Sequence, residues 1–106
     1  VITCLANDVG YENIFSEQLA VLGKKGDILI ALSGSGNSSN IVSVINEANK
    51  IGISSHAILG FNGGESKKIV KNAIHFNVND MQISEDLQLI VGHMLMKWLY
   101  KSKKEI

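Results

Sequence analysis

Hydrophobic residues along the chain fall into two patterns. One is the short continuous run, for example residues 28–32, which is typical of a strand buried on both faces of a parallel sheet. The other recurs at the spacing of one face of an α-helix. The clearest helical repeat comprises Ile41, Val42, Ile45 and Ala48. Because the two patterns alternate, we predict that strands and helices alternate along the chain.

The patterns predict four strands, each followed by a helix. The predicted strands span residues 1–5, 27–32, 54–59 and 73–78. The predicted helices span residues 14–22, 39–51, 65–72 and 83–101. This order predicts a three-layer α/β/α fold, in which an open parallel sheet carries helices on both faces and right-handed crossovers join its strands.

The length of the chain bounds its organisation. With 106 residues, of which 45% are hydrophobic, it can form one small core, which predicts a single domain over residues 1–106. The first predicted strand begins at the first residue, with nothing before it to begin a fold. We therefore expect the chain to be part of a longer domain.

Charge and composition argue against several classes of partner. Ten basic and ten acidic residues cancel, so the chain lacks the positive field with which nucleic-acid and anionic-membrane binders attract their targets. The apolar runs are too short to span a bilayer, and the first residues do not resemble a secretory signal. One cysteine, Cys4, excludes an internal disulfide. We expect a cytoplasmic protein with no direct nucleic-acid or membrane partner.

A loop rich in serine and glycine follows the second predicted strand. Its sequence is Ser33-Gly34-Ser35-Gly36-Asn37-Ser38, and we call residues 33–38 the phosphate loop. In parallel sheets, ligands bind outside the carboxyl ends of the strands, where this loop lies. Glycine allows a ligand to approach the backbone, serine supplies hydroxyl donors, and the next helix supplies N–H groups, so the loop can hold a phosphate.

The pattern of the phosphate loop narrows the ligand. It lacks the Gly-Lys-Ser or Gly-Lys-Thr of a nucleotide-binding P-loop and the Gly-x-Gly-x-x-Gly of a dinucleotide fold, so we expect a terminal monophosphate and no nucleotide cofactor. The alternative is an ordinary junction in which Ser38 or Ser39 caps the next helix. The position after a buried strand and before a well-patterned helix favours binding.

Residues 32–40, with the sequence LSGSGNSSN, resemble the phosphate loop of sugar isomerase (SIS) domains in the phosphoheptose isomerase branch. Residues 3–16, 26–29 and 92–95 are similar to other segments of that branch, so the resemblance covers nearly the whole chain. It implies an SIS or flavodoxin-like fold whose N-terminal part is missing here. It also implies an isomerase that converts sedoheptulose 7-phosphate into a heptose 7-phosphate for surface glycans such as lipopolysaccharide.

The same resemblance assigns roles to individual residues. It implies that the substrate is bound by Ser33, Gly34, Ser35, Asn37, Ser38 and Asp8, with Asp8 on the sugar hydroxyls and Gly34 where the family usually has threonine. His93 falls on the family's catalytic histidine, and moving a proton between neighbouring carbons needs such a group. From the sequence alone, His93 could equally be a hydrogen-bonded core residue.

Glu85 is the first departure from the family, which has glutamine there. A carboxylate can still accept hydrogen bonds or bind zinc, so Glu85 joins His93 as a candidate catalytic residue and zinc ligand. Glu85 and Asp86 also suit the first turn of a helix. Glu85 and His93 lie about 12 Å apart along an ideal helix, too far to hold one ion together, so a shared site would need different subunits. This agrees with the homotetramer that the resemblance implies.

The second departure is the family's N-terminal region, which includes the glutamate that acts as catalytic base. Without that region we predict that the chain as given cannot turn over substrate, although a longer parent protein could be an isomerase. One alternative is a non-catalytic SIS module that binds a sugar phosphate or associates with a replication initiator. Another is an isomerase of a different sugar phosphate.

Overall fold

A parallel sheet of three strands organises residues 1–104, the part of the chain that the computed structural model describes. The strands are β1 (Ile28–Ser33), β2 (Ser54–Leu59) and β3 (Asn72–His75). They are hydrogen-bonded in the order β1-β2-β3, and both pairs are parallel. The prediction of an open parallel sheet is confirmed.

Helices connect and flank these strands. They are α1 (Ile2–Asp8), a 3-10 helix (Tyr11–Asn13), α2 (Ile14–Leu22), α3 (Ser39–Ile51), α4 (Gly64–Ile69) and α5 (Met81–Lys104). The order from β1 to α5 confirms the predicted alternation of strand and helix. No helix within residues 1–104 is both long enough and apolar enough to cross a bilayer.

The first predicted strand is wrong, because residues 2–8 form helix α1. The N–H of Leu5 donates to the carbonyl of Val1, and the N–H of Val9 donates to the carbonyl of Leu5, each at 2.9 Å. These are bonds to the fourth preceding residue, which define an α-helix. A short apolar run has no period that separates strand from helix, so the apolar, β-prone character of residues 1–5 does not decide between them.

The strand register places three loops at one edge of the sheet. Ser33, the last residue of β1, pairs with Leu59 at the end of β2, which in turn pairs with His75 at the end of β3. Because all three strands run in the same direction, the segments that follow them start side by side. The phosphate loop therefore begins next to the turn that follows β2.

One face of the sheet carries the core. Ala31 of β1 and Ala57 and Leu59 of β2 pack with Ile45 of α3, and all four are at most 3% exposed. The small alanine side chains let α3 approach the strands closely. Helix α2 packs against α3 rather than directly on the sheet centre.

The other face is only partly covered, which corrects the prediction that residues 28–32 are buried on both faces. Ile28, Ile30 and Leu32 are 68%, 53% and 50% exposed. Helix α5 lies on this side, where the Gln88 Nε2 donates to the carbonyl of Ile58 at 3.1 Å. Ile58 itself is 4% exposed. The apolar pattern permits burial on both faces, but within residues 1–104 α5 covers this face only locally.

Candidate functional site

The phosphate loop joins the end of β1 to the start of α3. Ser33 ends the strand and is 5% exposed, whereas Asn37 and Ser38 are exposed immediately before the helix begins. The first N–H groups of an α-helix have no acceptor within the helix, and the helix dipole favours an anion beside them. The loop therefore presents hydroxyl and N–H donors at one place.

Two serines use their oxygen atoms to shape the loop. The Oγ of Ser33 accepts a hydrogen bond from the Gly36 N–H at 3.0 Å, and the Oγ of Ser35 accepts one from the Asn37 N–H at 3.1 Å. A hydroxyl accepts through its lone pairs and donates through its hydrogen. Both O–H groups therefore remain able to donate to a phosphate oxygen while the loop holds their oxygens in place.

Ser38 occupies the N-cap position of α3, but its side chain makes no capping hydrogen bond. An ordinary capping serine accepts a bond from an N–H of the first turn. The structure therefore contradicts the alternative that Ser38 is a simple cap. Its hydroxyl is exposed and remains available to a ligand.

The phosphate loop is fixed against the segment that follows β2, which we call the glycine turn (residues 60–64). A β-carbon on Gly36 would collide with the carbonyl of Gly63, and Gly36 has a φ of +72°. The Gly60 N–H donates to the carbonyl of Gly34 at 2.9 Å. Both the close approach and the positive φ require glycine at position 36.

Asn37 and Ser66 add further contacts between the loop and α4. The Oδ1 of Asn37 accepts from the Glu65 N–H at 2.9 Å, and the Ser66 N–H donates to the carbonyl of Gly36 at 2.9 Å. Ser66 is fully buried, and its Oγ has no hydrogen-bond partner. No local pattern in the sequence predicts this contact surface, for which the paired glycines 63 and 64 after a buried strand are the only signal.

Gly34 lies against the first residue of α5. A β-carbon added to Gly34 would collide with the Sδ of Met81. The resemblance to SIS domains places threonine at this position in other members. In this chain, the thioether of Met81 occupies the space into which a larger residue at position 34 would extend.

A polar cavity of about 240 Å³ borders the phosphate loop. Its lining residues are Asn37, Asn62, Gly64, Glu65 and Lys68. The Nζ of Lys68 lies 3.4 Å from the Oε2 of Glu65. Because both side chains are largely exposed, this ion pair adds little stability.

Asp8 ends α1 instead of following a strand. Its carboxylate accepts a hydrogen bond from the Asn7 Nδ2 at 2.9 Å, and the Cys4 Sγ lies 3.6 Å from the other oxygen. The strand predicted over residues 1–5, before Asp8, is therefore absent. Its role on sugar hydroxyls stays a prediction that depends on the resemblance alone.

His93 and Glu85 both lie exposed on α5. The exposure of His93 contradicts its interpretation as a core histidine in this chain. Glu85 and Asp86 lie beyond the first turn, because α5 begins at Met81. The residue that caps the helix is Asp80, whose Oδ1 accepts from the Ile83 N–H at 3.0 Å.

The residues that the structure describes do not assemble a metal site around the predicted ligands. Among residues 1–104, no group of three or more histidine, cysteine, aspartate or glutamate side chains is placed to hold a metal ion. His93 and Glu85 lie on one continuous helix, so the separation of about 12 Å expected along an ideal helix holds for them. Both are of a chemical type that binds zinc. One chain alone cannot bring them to the same ion.

The chain is similar to proteins of one family in sequence. A family model described as "SIS domain" matches residues 1–60. The phosphoheptose isomerase of Akkermansia muciniphila is 37% identical over 95 residues, which are 90% of this chain and 50% of that protein. The phosphoheptose isomerase of Sulfurimonas denitrificans is also 37% identical, over 89% of this chain and 48% of its own length.

Solved structures agree with the sequence comparison. A phosphoheptose isomerase from Francisella tularensis superposes with a TM-score of 0.85 at 28% identity, over 89% of this chain and 53% of the other. One from Neisseria gonorrhoeae gives a TM-score of 0.78 at 29% identity, over 88% and 54% respectively. The chain spans about half the length of the curated relatives it matches.

Proposed function

The chain belongs to the SIS domain family, and from this premise we propose that it is the phosphate-binding part of a sugar-phosphate isomerase. The proposed reaction interconverts sedoheptulose 7-phosphate and a heptose 7-phosphate. The observation that carries the proposal is the phosphate loop, where the hydroxyls of Ser33, Ser35 and Ser38 remain free to donate beside the N-terminus of α3. The relatives named phosphoheptose isomerase support this choice of substrate.

In this proposal the phosphate loop binds the end of the substrate that does not react. The serine hydroxyls and the first N–H groups of α3 hydrogen-bond and orient the phosphate, which holds the carbonyl end of the sugar at a fixed distance. Isomerisation then moves a proton between two neighbouring carbons and also moves protons between oxygens. We assign proton transfer on oxygen to His93 and a supporting role to Glu85. The carbon-bound proton is taken by a base outside this chain.

We also propose that the protein is a homotetramer. The exposed apolar side chains of α5 include Leu89, Ile90, Met94, Met96, Trp98 and Leu99. So many large apolar side chains exposed on one helix are unusual for a soluble monomer, and we propose that a neighbouring subunit covers them. The separation of Glu85 and His93 along α5 fits an arrangement in which two subunits each contribute one of them to a site.

Zinc is a candidate ligand of that shared site. A catalytic zinc ion has three protein ligands and an open position, where it lowers the pKa of a bound water or polarises a carbonyl. His93 of one chain and Glu85 of another supply two suitable donors. The third donor would come from residues outside this chain.

We further propose a cytoplasmic role in making the heptose of lipopolysaccharide. The proposed substrate and product are charged sugar phosphates, which do not cross membranes unaided. The chain also lacks an excess of positive charge that would attract it to nucleic acid or to an anionic membrane.

Glu85 is the observation that favours two competing functions. Replacing the family's glutamine with a carboxylate removes an amide donor and adds a negative charge. A protein with this change could bind a sugar phosphate without converting it, as a sensor or as a module that associates with a replication initiator. It could also isomerise a sugar phosphate other than sedoheptulose 7-phosphate.

Isomerisation assays separate these functions. The full-length protein should convert sedoheptulose 7-phosphate, whereas the 106-residue chain alone should bind inorganic phosphate without turnover. Binding of sedoheptulose 7-phosphate by the full-length protein without conversion would favour the non-catalytic module. Conversion of only another ketose phosphate would identify a different isomerase.

A further inference from the structure

Asn37 is bonded at both its backbone and its side chain. Its N–H donates to the Oγ of Ser35 at 3.1 Å, within the phosphate loop. Its side-chain Oδ1 accepts from the N–H of Glu65 at 2.9 Å, which lies 28 residues further along the chain. One residue therefore links the shape of the phosphate loop to the start of α4.

The bond to Glu65 satisfies an N–H that its own helix cannot. Glu65 is the second residue of α4, and the first N–H groups of a helix have no acceptor within it. The usual N-cap position is occupied by Gly63, which has no side chain to accept them. Asn37 thus supplies from the phosphate loop the acceptor that a capping side chain normally provides.

The fit around the Asn37 side chain is close. A β-carbon on Gly64 would lie 2.5 Å from the Oδ1 of Asn37, so glycine at position 64 makes the contact possible. The neighbouring bond from the Ser66 N–H to the carbonyl of Gly36 holds the adjacent part of the loop. The contacts of Gly36 and Asn37 with α4 therefore fix the path of the backbone that leads into Ser38.

We infer that Asn37 is a positioning residue of the phosphate loop and acts through the Glu65 N–H. Its side-chain oxygen holds the loop against α4, and this orients Ser35 and Ser38 toward the phosphate. The inference rests on the proposed function, since it assumes that the loop binds phosphate. The resemblance implied that Asn37 binds the substrate directly, and we replace that role with positioning of the loop.

A double-mutant cycle with inorganic phosphate tests the inference in the full-length protein. Asn37→Ala removes the acceptor, and Glu65→Pro removes the donor at a first-turn position where a helix tolerates proline. Each single variant should weaken phosphate binding about fivefold, the usual net effect of one hydrogen bond, and the double variant should be no weaker than either. The matched reference Glu65→Ala removes the same side chain but keeps the N–H, so the effect of Glu65→Pro on phosphate affinity is taken relative to Glu65→Ala.

Two outcomes of the cycle overturn the inference. If the two single effects multiply in the double variant, Asn37 acts on the phosphate independently of Glu65. If Asn37→Ala binds phosphate as tightly as the wild type, Asn37 does not position the loop. Titrations well below the unfolding temperature ensure that a change in global stability alone does not alter the measured affinity.

Amide hydrogen exchange of Glu65 tests the contact without any ligand and without the proline variant. Asn37→Ala should accelerate this exchange, whereas Asn37→Asp keeps an acceptor oxygen and should preserve protection. Unchanged exchange in Asn37→Ala would overturn the Asn37 contact alone. Failure of the wild-type protein to bind either phosphate or sedoheptulose 7-phosphate would instead overturn the proposed function, and with it the binding role of Asn37.

Discussion

The thioether of Met81 occupies the space that a β-carbon on Gly34 would need. The two residues are far apart in sequence, since one lies in the phosphate loop and the other begins α5. A side chain is absent from the loop, and Met81 fills the gap from the neighbouring helix.

This pair yields the first prediction. Gly34→Thr should lower the free energy of unfolding by about 1–2 kcal/mol, because an overpacked site must displace Met81. Adding Met81→Ala should recover most of the loss, since the smaller side chain leaves room for threonine. Urea denaturation of the single and double variants measures both effects, and equal stability of Gly34→Thr and the wild type would contradict the prediction.

Gly36 provides a sharper test of the fixed loop. Gly36→Ala should destabilise the protein by more than about 3 kcal/mol, because it combines a positive φ with a collision against the Gly63 backbone. The matched control is Gly26→Ala, since Gly26 also has a positive φ but has no atom within 4 Å of an added β-carbon. That control should cost only about 1–2 kcal/mol. Similar losses for the two variants in thermal denaturation would show that the collision does not matter.

Ser38→Ala separates binding from capping. Because the hydroxyl makes no capping bond, the variant should change the free energy of unfolding by less than about 0.5 kcal/mol. It should weaken phosphate binding by about tenfold or more, as expected for the loss of a hydrogen bond to a charged group. Calorimetric titration and thermal denaturation measure the two effects. A loss of stability near 1 kcal/mol with unchanged affinity would restore the capping interpretation.

His93→Ala should abolish most of the proposed isomerase activity without unfolding the protein. The side chain is exposed in this chain, so its removal leaves no cavity in the core. We expect kcat of the full-length protein to fall by about 10²–10⁴-fold, the usual effect of losing a general acid or base. His56→Ala is the control, because His56 lies on the sheet and bonds to Ser54. Equal kcat values for the two variants would remove His93 from the mechanism.

Trp98→Asp should dissociate the proposed tetramer. Trp98 is 65% exposed on α5, and a charge there would oppose burial between subunits. Analytical ultracentrifugation should show smaller assemblies for this variant and unchanged assemblies for the control Lys97→Glu. Retention of the wild-type assembly by Trp98→Asp would exclude this part of α5 from the subunit contact.

Local patterns were sufficient for most of the fold. The continuous run 28–32 and the helical repeat that includes Ile45 predicted β1 and α3 correctly, because each element depends on side chains close together in sequence. Residues 1–5 were predicted as a strand and form a helix, because a run of five residues does not contain a clear period. For that reason the sheet within residues 1–104 has three strands, whereas four were predicted.

The sequence by itself determined that the chain has a serine and glycine loop after an apolar strand, and the loop's composition indicated phosphate. Only the tertiary structure decided how that loop is held, because its contacts come from the glycine turn, α4 and Met81, which no local pattern connects to it. It also decided that Ser38 keeps its hydroxyl free and that one sheet face is only partly covered. Local spacing specifies which face of an element is apolar, whereas the partner of that face depends on the arrangement of the whole chain.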